Sequence, residues 1–191
     1  MSMPVRVTEP LNHYKEQWYI DWIHKVGRTE ANKKSREALK LGSLLDKIVK
    51  ENLIPDKKAT ADTIFAFEAF QKWKKVYEPS YIRPCTRINW VWNFIEISGE
   101  PDFEIPNTTV DLKGAVRISN HYKKQVNTYE WGRRLVGLTP NENVAILRCD
   151  RTTGSYEYWQ EPFNMRFVDA WCGLLVNYVI DKESDGHGDE L

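Results

Sequence analysis

Asp102, Asp111 and Lys113 carry the side chains in this chain best suited to chemistry. They sit in "EPDFEIPNTTVDLKG", residues 100–114. Two short apolar runs, 102–105 and 109–113, flank the turn-forming pair Pro106-Asn107, and this spacing predicts two short strands. If the strands pair, both carboxylates converge at one end of a sheet. Carboxylates that close repel each other, and a divalent cation removes the penalty. Hard cations such as Mg²⁺ take oxygen ligands. Lys113 lies two residues beyond Asp111 and shares its strand face. There it can hold a water molecule beside the cation or neutralise a phosphate oxygen. These are the parts for metal-assisted phosphodiester hydrolysis. The same residues also suit a plain hairpin with Asp111 and Lys113 on a solvated face. A second Asp-x-Lys, at Asp56-Lys57-Lys58, follows Pro55 in a polar loop with no partner acid and is set aside.

The surrounding pattern must supply a scaffold. Residues 1–10 read as extended. A helix is expected next, with Asn12 as cap and Tyr14, Trp18, Trp22 and Val26 as its apolar stripe, stopped by Gly27. A second helix starts at Thr29 and runs to about Leu41, and Gly42-Ser43 marks a break. Leu44, Leu45, Ile48 and Val49 form the next apolar face, which Pro55 ends. Residues 61–77 are amphipathic and helical. "TRINWVWNFIEI" (86–97) reads as one strand. Residues 119–137 return to helical spacing. Residues 143–150 and 155–160 form a hairpin about "RTTG", and 163–180 close as an apolar helix. The expected fold is α/β, one domain over 1–180. It has a helical N-terminal part (11–77), a central mixed sheet with its helix (86–160) and a closing helix (163–180). Residues 181–191 read as an acidic disordered tail.

Composition limits the partners. The chain has 191 residues and formal net charge +0. The tail holds five acids (Asp181, Glu183, Asp185, Asp189, Glu190) and one base, Lys182. The remaining body is therefore mildly basic. Lys33, Lys34 and Arg36, then Lys72, Lys74 and Lys75, then Lys123 and Lys124, then Arg133 and Arg134 form clusters. They suit a positive groove for nucleic acid or ordinary solvated helix faces. Cys85, Cys149 and Cys172 are far apart with no Cys-x-x-Cys, which argues against a zinc or iron–sulfur site and fits a reducing cytoplasm. No leader and no apolar run of membrane length is expected. The ending "HGDEL" is read as a coincidental likeness to a retrieval signal. His13 and His24 are too far apart for a ligand pair; His121 reads as an exposed helix-start residue, the other reading being a substrate contact beside the Asp-x-Lys segment. Trp18 and Trp22 read as core; the other reading is a stacking platform for single-stranded DNA. No G-x-S-x-G, Walker A or G-x-G-x-x-G pattern is present, so acyl transfer and nucleoside-triphosphate hydrolysis lack support.

Three segments together resemble the PD-(D/E)-x-K nuclease superfamily, and within it the RecB-like exonucleases of recombination enzymes and phages. "SGEPDFEIPNTTVDLKG" looks like the core hairpin, with a Gly-x-x-Asp turn from Gly99 to Asp102 and then Asp-x-Lys. "YKKQVNTYEW" looks like the Gln-x-x-x-Tyr motif, with Gln125 and Tyr129 one helical turn apart. "WIHKVGRTEANKKSREALKLGSLLDKIVKENL" looks like the opening region, whose Gly-Ser/Thr-x-x-His helix here carries Asp46 at the histidine position. Gly114 stands where many relatives have threonine. The resemblance spans roughly residues 14–160.

The resemblance implies a restriction-endonuclease-like core and a metal-dependent DNA nuclease, an exonuclease serving recombination, repair or phage DNA processing. Asp102 and Asp111 would bind Mg²⁺ or Mn²⁺, with the Leu112 carbonyl and Asp46 as further oxygen donors. Lys113 would position water or stabilise the transition state. Gln125 and Tyr129 would orient the site and the strand. Partners would be single-stranded DNA or duplex ends and a recombination or replication protein, in a bacterial or phage-infected cytoplasm. The other reading is a catalytically inactive nuclease fold that binds nucleic acid or a protein.

Overall fold

A computed structural model of the chain describes residues 4–14, 17–50 and 61–186. The elements in order are β1 (Val5–Arg6), α1 (Thr8–His13), α2 (Gln17–Val26), α3 (Arg28–Lys50), α4 (Ala61–Tyr77), β2 (Arg83–Pro84), β3 (Ile88–Trp92), β4 (Ile95–Gly99), β5 (Phe103–Ile105), β6 (Thr108–Lys113), α5 (Asn120–Leu135), β7 (Asn143–Cys149), β8 (Tyr156–Pro162) and α6 (Met165–Gly186). The fold is α/β, with six helices among the described residues flanking mixed sheets. The single expected sheet is divided in two. One sheet has the order β1-β4-β3, with β1 parallel to β4. The other has the order β2-β5-β6-β7-β8, with β6 and β7 parallel and the remaining pairs antiparallel.

β7 explains the layering. Val144, Ala145, Ile146 and Leu147 are all fully buried, as a central strand covered on both faces must be. Alternate residues go to opposite cores. Ala145, Leu147 and Cys149 join Val110, Leu112 and Phe103 beneath α4, where Ala66, Ala69, Phe70 and Trp73 form the helix's buried stripe. Val144 and Ile146 meet Val126 of α5 on the other face. A third core joins β3 and β4 to α5 and α6 through Ile88, Trp90, Ile97, Tyr129, Trp171 and Leu175. The same alternation governs β6. Val110 and Leu112 face α4, so Thr109, Asp111 and Lys113 face α5.

Several local expectations change. Residues 86–97 are two strands. Trp92 pairs with Ile95 across a two-residue loop, and Asn93 and Phe94 both take positive φ, 47° and 64°, as a tight hairpin turn demands. α3 runs straight through Gly42-Ser43, and Asn12 lies inside α1 instead of capping the next helix. Gly27 does end α2, with φ of 83°. α6 continues to Gly186, into the segment expected to be a disordered tail. Residues 51–60, with Pro55 and Asp56-Lys57-Lys58, and the side chains of Trp18, Leu44, Leu45, Asp46, Ile48 and Val49, lie outside what is described.

Candidate active site

Asp102 sits directly before β5. The β5–β6 register pairs Phe103 with Val110, so Asp102 falls opposite Asp111, and residues opposite each other in an antiparallel pair share a face. β6 runs on past the end of β5. The N–H of Leu112 would lack a strand partner there, and it donates instead to the Asp102 carboxylate at 2.5 Å. The Asp102 carbonyl accepts from the Cys85 N–H at 3.3 Å. Asp102 is therefore held at both its main chain and its side chain.

Asp111 is 2% exposed. Lys113 Nζ lies 2.7 Å from Asp111 Oδ2, and its ammonium stands 5.1 Å from the Tyr122 ring centre. Gln125 Nε2 donates to the Tyr129 hydroxyl at 2.8 Å and reaches Asp111 Oδ1 at 3.4 Å. Both α5 residues are buried. The i, i+4 spacing thus brings Gln125 and Tyr129 to the carboxylates, as their sequence positions suggest. Gly99 makes room for this. A Cβ there would sit 2.8 Å from the Tyr129 ring and 3.2 Å from Val7 Cγ2. The Gly-x-x-Asp turn therefore lets the tyrosine approach as well as delivering Asp102.

Burial opposes the Lys113 charge, but Asp111 and then Asp102 outweigh it and raise its pKa. The amine is an ammonium at neutral pH. It can donate hydrogen bonds to water or a phosphate oxygen, and it cannot take up a proton. Burial, reinforced by Asp111, raises the Tyr129 pKa, so its phenol stays protonated. Among the described residues the site gathers two carboxylates and one ammonium, and no group of three or more His, Cys, Asp or Glu side chains forms a ready metal cluster. The donor set suits a hard divalent cation nevertheless. Its carboxylates and the Leu112 carbonyl are oxygen donors, and its two carboxylates meet level on one face. The backbone of position 46 lies in α3; its side chain is outside the described set.

Three features escape the sequence reading. Tyr122, three residues before Gln125, backs the Lys113 ammonium. Arg148 pairs in register with Lys113 across β6–β7; it is bound by Asp150 at 3.1 Å and Glu157 at 2.9 Å, and donates to the Ala115 carbonyl at 3.4 Å. Arg133 and Arg134 are neither groove nor solvated face. Arg133 is buried, with Nη2 2.7 Å from Glu104 and Nε 3.3 Å from Glu130. Arg134 pairs with Glu130 at 2.9 Å. Glu130, wholly enclosed, also accepts from Thr109 Oγ1 at 2.7 Å and the Asn141 N–H at 2.9 Å. The signal was an acid followed at three and four positions by arginines.

Among the described residues no helix is long and apolar enough to cross a membrane. Neither a family model nor a curated protein matches the sequence. Solved structures do match in shape. The crystal structure of SSO0001 superposes with TM-score 0.54 at 11% identity, over 96% of this chain and 78% of that one. An alkaline exonuclease from Laribacter hongkongensis, LHK-Exo, superposes with TM-score 0.52 at 9% identity, over 95% of this chain and 89% of its own. The same enzyme in complex with dAMP gives 0.51 with the same identity and coverage. At such identities the likeness is one of fold: this chain is built on the same architecture as an alkaline exonuclease.

Proposed function

We propose that this chain is a Mg²⁺- or Mn²⁺-dependent deoxyribonuclease that removes nucleotides from DNA ends during recombination, repair or phage DNA processing. The observation that carries the reading is the meeting of Asp102 and Asp111 on one face at the end of β6, with the Lys113 ammonium 2.7 Å from Asp111. The exonuclease architecture supports it.

Asp102, Asp111 and the Leu112 carbonyl would hold the cation, with Asp46 as a further oxygen donor from α3. Residues of a strand send N–H and C=O toward the same neighbour, so the Leu112 carbonyl lies on the side where its N–H meets Asp102. The cation, when bound, polarises the phosphodiester and makes water more acidic. Lys113, fixed as a cation, positions the attacking water and stabilises charge on the phosphate oxygens. Gln125 keeps Asp111 and Tyr129 in register with each other, and the protonated Tyr129 can donate to the DNA strand. Exonuclease action on single strands or duplex ends, and a recombination or replication partner, belong to this same reading.

The test is cleavage of end-labelled DNA with Mg²⁺ or Mn²⁺ and with chelator, comparing wild type and Lys113→Ala. Losing one donor to developing charge lowers turnover about 10²–10³-fold. We expect that loss with melting behaviour retained. Cleavage that survives chelation, or that Lys113→Ala leaves intact, sinks the nuclease reading. The finding of only two carboxylates among the described residues favours a second reading, a fold that binds DNA or protein without cutting. DNA binding with no cleavage under any divalent cation would select it.

A further inference from the structure

The end of β7 and the β7–β8 turn each carry an arginine, with different fates. Arg148 is committed, its guanidinium bound by Asp150 and Glu157. Arg151 has no hydrogen-bond or ion-pair partner among the described residues. It is nonetheless half-buried, and its stem lies against Gly114, the residue directly after Lys113. A Cβ at position 114 would meet Arg151 Cδ at 3.3 Å, Cγ at 3.7 Å and Nε at 3.7 Å. A side chain at 114 would therefore take up the space the arginine stem uses.

The turn that presents Arg151 is held from both sides. Asp150 Oδ1 accepts from the Thr152 N–H at 2.8 Å, the Thr152 hydroxyl at 2.7 Å and the Thr153 N–H at 3.0 Å. This is an Asx turn. Beyond it, Lys72 of α4 donates to the Gly154 carbonyl at 2.8 Å. Gly154, at φ 63°, closes the bend. The parallel β6–β7 pair puts this turn at the strand end where Lys113 lies. A rigid turn that neutralises one arginine and delivers the next, uncompensated, beside the lysine's neighbour has the form of an anion contact.

We infer that Arg151 is a phosphate-binding residue, contacting the DNA backbone beside the bond that the proposed nuclease site opens. The inference rests on the proposed reading for its substrate. Its role is positioning: the guanidinium binds a flanking phosphate and sets the strand against Asp102, Asp111 and Lys113.

The experiment measures DNA affinity against salt for wild type, Arg151→Ala, Arg151→Gln and Arg151→Lys. It uses the full chain with Ca²⁺ in place of the catalytic ion, alongside Mg²⁺ cleavage and thermal melting. Losing one phosphate contact makes the slope of log affinity against log salt shallower by about one. The wild-type advantage over Arg151→Ala should then shrink about three- to fourfold between about 50 and about 200 mM salt. Arg151→Lys should restore most of the slope. In cleavage, KM should rise with kcat nearly unchanged. Arg151→Gln keeps the stem packed on Gly114, so a slope lost in Gln as in Ala assigns the effect to charge even if Ala melts early. Wild-type slope and KM in both Ala and Gln overturn the inference while the nuclease reading stands. A wild type that cuts but whose Arg151→Lys is as weak as Ala would also overturn it. A wild type that neither binds nor cuts DNA overturns both.

Discussion

The two ends of β6 meet the problem of buried charge in opposite ways. At the start, Thr109 belongs to a network in which Glu130 and Glu104 face three guanidiniums, those of Arg83, Arg133 and Arg134. At the finish, Asp102 and Asp111 share the ammonium of Lys113, whose charge both carboxylates favour. Both clusters lie between the same strand and the same helix, α5. Glu130 has every contact it needs from the protein itself. The carboxylate pair at the other end meets the Lys113 ammonium at a strand end, with 20% of that lysine side chain open to solvent. A network closed inside the protein holds structure, and paired carboxylates at an open strand end are receptive to a cation. One end therefore reads as an anchor and the other as the candidate site.

The largest effect that tests this contrast is on stability at the anchor. Glu130→Ala leaves Arg133 buried with half its pairing gone and strips Thr109 and the Asn141 N–H of their acceptor. Breaking a buried ion pair from one side costs about 3–5 kcal/mol, and a urea unfolding midpoint should fall accordingly. Lys113→Ala, measured beside it with Mg²⁺ present, is expected to lose less, because 20% of the lysine side chain is open to solvent and none of the glutamate's is. Equal losses would erase the distinction between the two ends.

Two glycines sharpen it. Gly99 abuts Tyr129 at the site, and Gly132 abuts Trp90, where a Cβ would sit 2.7 Å from the indole. Overpacking of this kind costs about 1–3 kcal/mol. Both alanine variants should lose stability in that range. Gly99→Ala should also lose cleavage out of proportion, because the ring it displaces is bonded to Gln125 beside Asp111. Gly132→Ala should cleave at the wild-type rate per folded molecule. Equal specific activity in both would remove Tyr129 from the site.

The geometry of the candidate site was more legible in the sequence than that of the anchor. Asp102, Asp111 and Lys113 are tied by local rules: strand alternation, a turn at Pro106-Asn107, and Gln125 and Tyr129 one helical turn apart. The anchor depends on which strand meets which helix. Arg133 and Arg134 look from the sequence like a basic helix end, and only the seating of α5 over Thr109 and beside Glu104 turns them inward. The β3–β4 hairpin was hidden for another reason. Its turn residues, Asn93 and Phe94, include no glycine, and a phenylalanine at φ 64° breaks the usual residue preference of such a turn. Gly42-Ser43 misled in the opposite direction, since a glycine inside a long helix lowers its propensity without ending it.

The smallest effect concerns the turn that extends the site end. The Asp150 carboxyl is held well below its ordinary value, first by the Thr152 hydroxyl and then by the Thr152 N–H. Burial opposes them, and Thr153 and Arg148 add to the lowering. A carboxyl lowered on folding contributes stability that is fully present above its unfolded pKa, about 3.9, and is lost as pH falls toward the folded value. Asp150→Ala should therefore lower stability by about 1–2 kcal/mol at neutral pH. The gap from wild type should stay level down to about pH 5 and close below about pH 4. A gap for Asp150→Ala that persists undiminished in acid would mean that packing, and not the carboxylate's hydrogen bonds, holds the turn, and with it the placement of Arg151.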